Sequence, residues 1–133
     1  MSLAAAVRLI QAGCDKAEAH GLKLNLAVVD AQGFLVAHVR MDGAPLPSIE
    51  HSINKAFTSA QFGKPTVELK TDAEPGGELF GLNLTLDRRV VVFGGGLPLK
   101  RAGAVVGAVG ASGGTAAQDQ EIAAAMVSAF DPK

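Results

Sequence analysis

His51 and Lys55 stand four residues apart, the spacing that brings two side chains together on one side of a helix. An imidazole there can ligate a metal or a haem iron, and an ammonium one turn later can hold a carboxylate such as a haem propionate. Two exposed residues of an ordinary helix share that spacing, so both readings stand. Ser112-Gly113-Gly114-Thr115 joins an apolar run to a helical pattern. Free backbone N–H groups at such a junction can cradle an anion, and the same residue types also suit a plain strand-to-helix turn. Gly94-Gly95-Gly96 lacks the Gly-Lys-Ser/Thr ending of a phosphate loop and is read as a turn. His38 alternates with Phe34 and Val36 as a core histidine would, and His20 sits where a helix C-terminus favours a cation. Glu74 and Glu78 are read as solvated surface. There is no His-Glu-X-X-His, Cys-X-X-Cys or Gly-X-Ser-X-Gly motif, so neither a protein-built metal site nor a catalytic serine is assigned.

The elements that must position these groups follow from periodicity and punctuation. Ser2 caps a helix with apolar positions at Leu3, Ala6, Val7, Ile10, Cys14 and Ala17, and Gly21 ends it. Alternation over Leu24–Val28 and again over Phe34–Val39, split by Asp30-Ala31-Gln32-Gly33, predicts a β-hairpin. Ser48 offers the N-cap of a second helix to Phe62, with a core stripe at Ile49, Ile53, Ala56, Phe57 and Ala60. That stripe leaves His51, Lys55 and Thr58 on an adjoining face. Pro75-Gly76-Gly77 can start a short helix through Leu82, within a segment that reads as cover. Val90–Phe93 is expected as a buried strand. Leu97–Lys100 and Ala104–Ala111 follow as strands around a turn at Arg101-Ala102-Gly103. Thr115 and Gln118 make a capping box for a last helix. Short connections between neighbouring strands imply an antiparallel sheet.

At 133 residues, 48% of them hydrophobic, the chain is long enough for one domain with one sizeable core. Twelve basic and thirteen acidic residues give a net charge of −1. No basic stripe follows a phosphate backbone, which excludes nucleic acid as the expected partner. No apolar stretch reaches spanning length, so no membrane role is expected. The lone Cys14 cannot close an internal disulfide, and a cytoplasmic protein is expected. Tyr and Trp are absent while Gly and Ala abound, so close backbone packing replaces large side chains, a composition that also suits self-association.

Ala27-Val28-Val29-Asp30 with Gly33, Arg40-Met41-Asp42-Gly43-Ala44, Lys55-Ala56-Phe57-Thr58, Gly95-Gly96-Leu97-Pro98, Gly107 to Gly113 and Gln118-Asp119 occur in an order that resembles the GlcG/HbpS, or haem-degrading domain, family over nearly the whole chain. That family also includes the C-terminal domain of a corrinoid adenosyltransferase. The resemblance implies an α/β (α+β) fold, a five-stranded antiparallel sheet flanked by helices, and assembly into dimers or larger homo-oligomers. It implies a small-molecule ligand, with haem or another tetrapyrrole as the leading candidate. Asp30, Arg40, Lys55, Gly95, Ser112 and Gly113 match the family pattern and, with His51, form the expected ligand-binding set. In the leading arrangement an apolar cleft between the Ser48–Phe62 helix and a neighbouring subunit takes the ring while Lys55 or Arg40 meets its carboxylates. The alternative is an enzyme or accessory protein acting on a small hydroxy or oxo carboxylate, with Arg40 binding the acid and Asp30 or Lys55 moving a proton. A third reading is a structural partner in a catabolic complex.

Overall fold

The computed structural model describes residues 1–133. Helix α1 spans Leu3–Ala19, with the Ser2 hydroxyl accepting from the Ala5 N–H. It ends in a Schellman turn: Gly21 adopts φ 66°, and the N–H groups of Leu22 and Gly21 donate to the carbonyls of Ala17 and Glu18. Strands β1 (Asn25–Asp30) and β2 (Leu35–Arg40) form the expected hairpin. Helix α2 spans Pro47–Phe62 and stops at Gly63, φ 67°. Strands β3 (Gly96–Arg101) and β4 (Ala104–Ser112) turn over Ala102 and Gly103, both with positive φ, as a two-residue hairpin of that twist requires. Helix α4 spans Ala116–Ser128 behind the predicted Thr115–Gln118 capping box. A short helix α3, Lys70–Ala73, lies between α2 and β3. No helix is long and apolar enough to cross a membrane.

The sheet is antiparallel with order β2-β1-β4-β3. It has four strands, not five. The Val90–Phe93 run is partly buried, as its composition predicts, but it pairs with no strand. Side-chain hydroxyls satisfy its backbone instead. Thr58 Oγ1 accepts from the Val91 N–H at 3.0 Å while donating to the Asn54 carbonyl of its own helix at 2.7 Å. Thr66 Oγ1 donates to the Phe93 carbonyl at 2.7 Å. The helix expected from Pro75 to Leu82 is also absent: that stretch is a series of turns with one 3₁₀ turn at Leu82–Leu84, and the helical turns fall earlier, over Thr66–Leu69 and α3.

Pleating divides the core in two. Leu26, Val28, Val109 and Ala111 face α1 and α4, where Leu9, Ile10, Ile122 and Met126 complete the larger cluster. Ala27, Val29 and Ala108 face α2, meeting Ala56 and Ala60. This second face is lined by small residues, and α2 comes so close that a Cβ on Gly110 would fall on the Ser52 carbonyl oxygen. The buried face of α2 therefore carries Ser48, Ser52, Lys55 and Ser59, whereas Ile49, Ile53 and Phe57 of the expected stripe are only half-buried. Ser48 lies within the helix, and Pro47 supplies the start.

Candidate functional site

One of the sequence-predicted residues, Lys55, is a buried cation; another, Gly95, packs against it, and Ser112 and Gly113 follow its carbonyl partner Ala111 in the chain. Lys55 has no solvent exposure. Its Nζ donates to Asp119 Oδ2 at 2.8 Å and to the Ala111 carbonyl at 3.0 Å. Gly95 passes against this ammonium, leaving no room for a Cβ, and its N–H donates to Gln120 Oε1 at 3.1 Å. Ser112 and Gly113 lead from the Ala111 carbonyl into the start of α4. Burial pushes the Lys55 ammonium below its usual range, and the hydrogen bond and charge of Asp119 oppose that push. The charge of Lys55 is thus matched within the chain, by Asp119.

The anion cradle expected at Ser112–Thr115 is likewise filled by the chain itself. The Gly114 N–H donates to Asp119 Oδ1 at 2.8 Å, the Thr115 N–H to Gln118 Oε1 at 2.9 Å, and the Gln118 N–H to Thr115 Oγ1 at 3.1 Å. Gly113, at φ 141°, packs on the backbone of Lys23 and Leu24. Asp30 is occupied too: its Oδ1 accepts from the N–H groups of Gln32 and Phe34, each at 2.9 Å. That bonding fixes the β1–β2 turn.

Arg40 lies in β2, and His51 borders the Lys55 cluster through Phe93, whose ring centroid is 5.0 Å from Lys55 Nζ. His51 is exposed on α2, edge-on to Phe93 with ring centroids 6.3 Å apart. Arg40 borders the largest concavity, a groove of about 750 Å³ between α1 and the edge strand β2. Its apolar wall includes Val7, Ile10, Ala37 and Val39. The register pairs Ala37 with Val28 and Val39 with Leu26, which turns both side chains towards α1. Met41 and the Cys14 thiol add soft sulfur to the lining. Lys23 and Arg40 line the groove together with the acids Glu18 and Asp42; Arg40, the exposed last residue of β2, alternates with Val39 and borders the groove at its rim rather than on its apolar wall. The Met41 N–H donates to the Leu24 carbonyl at 3.0 Å. Burial first, then the charges of Glu18 and Asp15, raise the Cys14 pKa, so the thiol form is favoured.

Sequence reasoning placed Cys14 in the core and missed the groove. The signal was available: on α1 the apolar stripe is wider than one core seam needs, and Val7 is half exposed at its margin. No group of three or more His, Cys, Asp or Glu side chains able to hold a metal ion forms anywhere in the chain, the groove included.

Comparison with known proteins identifies the family. The family model for the haem degrading protein HbpS-like matches residues 1–128. The uncharacterized 15.0 kDa protein in the dhaT-dhaS intergenic region of Citrobacter freundii is 41% identical over 134 residues, covering 98% of this chain and 92% of that protein. The corrinoid adenosyltransferase PduO of Salmonella typhimurium is 36% identical over 124 residues, covering 93% of this chain and 37% of that protein. A crystal structure of a PduOC–haem complex superposes with a TM-score of 0.94 at 34% identity, covering 98% of this chain and 95% of that one. With the family model spanning nearly every residue and these relatives sharing over a third of theirs, the chain belongs to the HbpS-like family.

Proposed function

We propose that this chain is a one-domain binding module for haem, or for a similar tetrapyrrole bearing carboxylates, and that the ligand lies in the groove between α1 and β2. The observation that carries this reading is the composition of that groove: an apolar wall, the sulfur of Cys14, and a charged rim in which Lys23 and Arg40 stand beside Glu18 and Asp42. The volume of about 750 Å³ falls in the range of small-molecule sites. The apolar wall would take the ring, Arg40 and Lys23 the carboxylates, and Cys14 would present sulfur to the iron. The relative solved with haem, at 34% identity, supports the ligand class. In the same reading the chain works as a homo-oligomer in the cytoplasm. The exposed Phe34 and Leu35 at the start of edge strand β2 support self-association, and light scattering of Phe34→Asp should show a lower mass than the parent chain.

The test is a hemin titration followed in the Soret band. The expected result is a saturable change at one haem per chain or fewer, weakened in Cys14→Ala and in Arg40→Ala and retained in His51→Ala. A response that never saturates, or one lost only in His51→Ala, overturns the groove as the site.

A further inference from the structure

The two outer strands of the sheet each have one side without a neighbour, and those two edges differ. β3 is protected against further pairing: Pro98 lies within it, its register with β4 slips between Leu99 and Lys100, and Lys100 and Arg101 stand exposed at its end. Such features keep a further strand off a native edge. β2 contains no proline and no lysine. It bulges only at its start, where Val36 has no partner on β1, and from Ala37 to Arg40 its register is regular.

The hydrogen bonds of that regular stretch decide which backbone groups are free. The Met41 N–H donates to the Leu24 carbonyl, which extends the register of Asn25 with Arg40 and makes Leu24 and Met41 a bonded pair. Bonded and non-bonded pairs alternate along an antiparallel ladder, so Val39 and Ala37 also address β1. The N–H and C=O groups of His38 and Arg40 therefore point out of the sheet edge, where a soluble strand leaves its pairing capacity open. Side chains alternate as well. Ala37, Val39 and Met41 pack on the α1 side, and His38 and Arg40 turn to the α2 side.

We infer that β2 pairs with β2 of a second copy of this chain, antiparallel about a two-fold axis beside Val39, so that the two sheets become one. The inference rests on the homo-oligomer reading above and names its contact. A two-fold normal to the sheet keeps every residue on its own face, so odd positions must meet odd and even meet even. In the register centred on Val39, His38 and Arg40 of one copy exchange N–H···O=C bonds with Arg40 and His38 of the other, and the pairing stops short of the bulge. Centred on His38 instead, it would set Arg40 against the bulged Val36. On the α1 side Val39 then meets its own counterpart and Ala37 meets Met41, apolar against apolar. On the α2 side the Arg40 guanidinium stands beside a His38 ring that burial biases to the neutral form, so like charges do not oppose the contact. A second copy thus satisfies the edge on both faces at once. It also carries the apolar floor of the α1–β2 groove, Ala37 and Val39, on into that of its partner, and the partner completes the site.

Amide exchange and cysteine cross-linking, read beside light scattering of the parent chain, test this pairing. In the dimer the His38 and Arg40 amides should exchange as slowly as those of Ala37 and Val39, whereas an unpaired edge leaves them about ten-fold faster or more. In a Cys14→Ser background, which removes the one native thiol, Val39→Cys should oxidise to a disulfide-linked dimer, since Cα atoms of a non-bonded antiparallel pair lie about 4.5 Å apart. Ala37→Cys should give about ten-fold less, its counterpart lying roughly 14 Å along the ladder. The amide measurement uses the parent chain and stands whether or not the cysteine variants fold. A monomeric mass overturns the pairing together with the oligomeric reading, and leaves the edge to a strand of another protein. An oligomer whose His38 and Arg40 amides exchange at the unpaired rate, or in which Ala37→Cys cross-links as readily as Val39→Cys, overturns the pairing alone.

Discussion

Lys55 Nζ lies 2.8 Å from Asp119 Oδ2, a bond between α2 on one face of the sheet and the first turn of α4 on the other. Both side chains are shut away from water. Such a pair is tolerable only when the remaining polar atoms are held as well, because taking an ammonium and a carboxylate out of water costs several kcal/mol each, on the order of the attraction gained. Here the Ala111 carbonyl accepts from Lys55 and the Gly114 N–H donates to Asp119. The pair therefore registers the two helical layers through the end of β4.

Removing either member should be costly. Lys55→Met and Asp119→Ala are each expected to lower the unfolding free energy by about 3–5 kcal/mol, since each strands a buried charge; the double variant Lys55→Met/Asp119→Leu should recover most of that loss. Urea denaturation measures all three. Losses under about 1 kcal/mol in both single variants would show that the pair is solvated in solution. A pH dependence accompanies this. Because burial depresses the Lys55 pKa from 10.5, the unfolded chain holds the extra proton between the depressed value and 10.5. Stability should therefore rise with pH across that window, and Lys55→Met should remove that slope.

Close packing of α2 on β4 gives a second expectation. Gly110→Ala would drive a Cβ into the Ser52 carbonyl and to 2.8 Å from the Ala56 nitrogen, both rigid backbone. The helix must shift, at a cost of about 1–3 kcal/mol or more. Gly103→Ala has open space around its Cβ but φ 81°, so it should suffer only the backbone strain of a left-handed residue, about 1–2 kcal/mol. A thermal-melt series in which Gly110→Ala is the milder of the two would contradict the packing described.

These two predictions mark where the sequence could be read and where it could not. Local chemistry was legible: the Ser2 cap, the Gly21 and Gly63 stops, both hairpins and the Thr115–Gln118 box all form as their residue types demand. The orientation of α2 was not. Hydrophobic periodicity favours burying Ile49, Ile53 and Phe57, but a sheet face made of Gly110, Ala108 and Ala27 admits a helix only along its small residues, Ser48, Ser52 and Ser59. Lys55 follows that rotation inwards, and its partner Asp119 is 64 residues away, beyond any local pattern. The same limit applies to Val90–Phe93, whose apolar run is that of a strand although hydroxyls of Thr58 and Thr66 take the hydrogen bonds a neighbouring strand would have taken. The groove beside Cys14 depends on β2 being an edge, which only the strand order decides.

His38 supplies a pH-dependent expectation on the acid side. The register pairs it with Ala27 and so turns it away from α1. The ring as a whole is half-buried, yet its Nε2 is shielded from water and has no hydrogen-bond partner. Burial lowers its pKa from 6.5. Between the lowered value and 6.5 the unfolded chain binds the additional proton, so stability should fall as pH drops through that window. His38→Leu should flatten this part of the profile. An NMR titration of the imidazole reading 6.5 or above would contradict the shielding of Nε2.

Cys14 connects stability chemistry with the proposed ligand. Its thiol pKa is raised from 9.0, mainly by burial and further by the neighbouring carboxylates Glu18 and Asp15. Alkylation by iodoacetamide requires the thiolate, so at neutral pH Cys14 should react more slowly than free cysteine and accelerate as pH rises past the ordinary thiol range. Glu18→Gln removes one opposing charge. Each full unit by which it lowers the pKa raises the thiolate fraction about ten-fold, and the rate should rise in step. Haem in the α1–β2 groove would cover the sulfur, so saturating hemin should protect Cys14 from alkylation in the parent chain. Protection that persists in Arg40→Ala only at higher hemin concentration would tie the cation and the thiol to one ligand. Alkylation as fast with hemin as without it would place haem elsewhere, whatever the Soret titration showed.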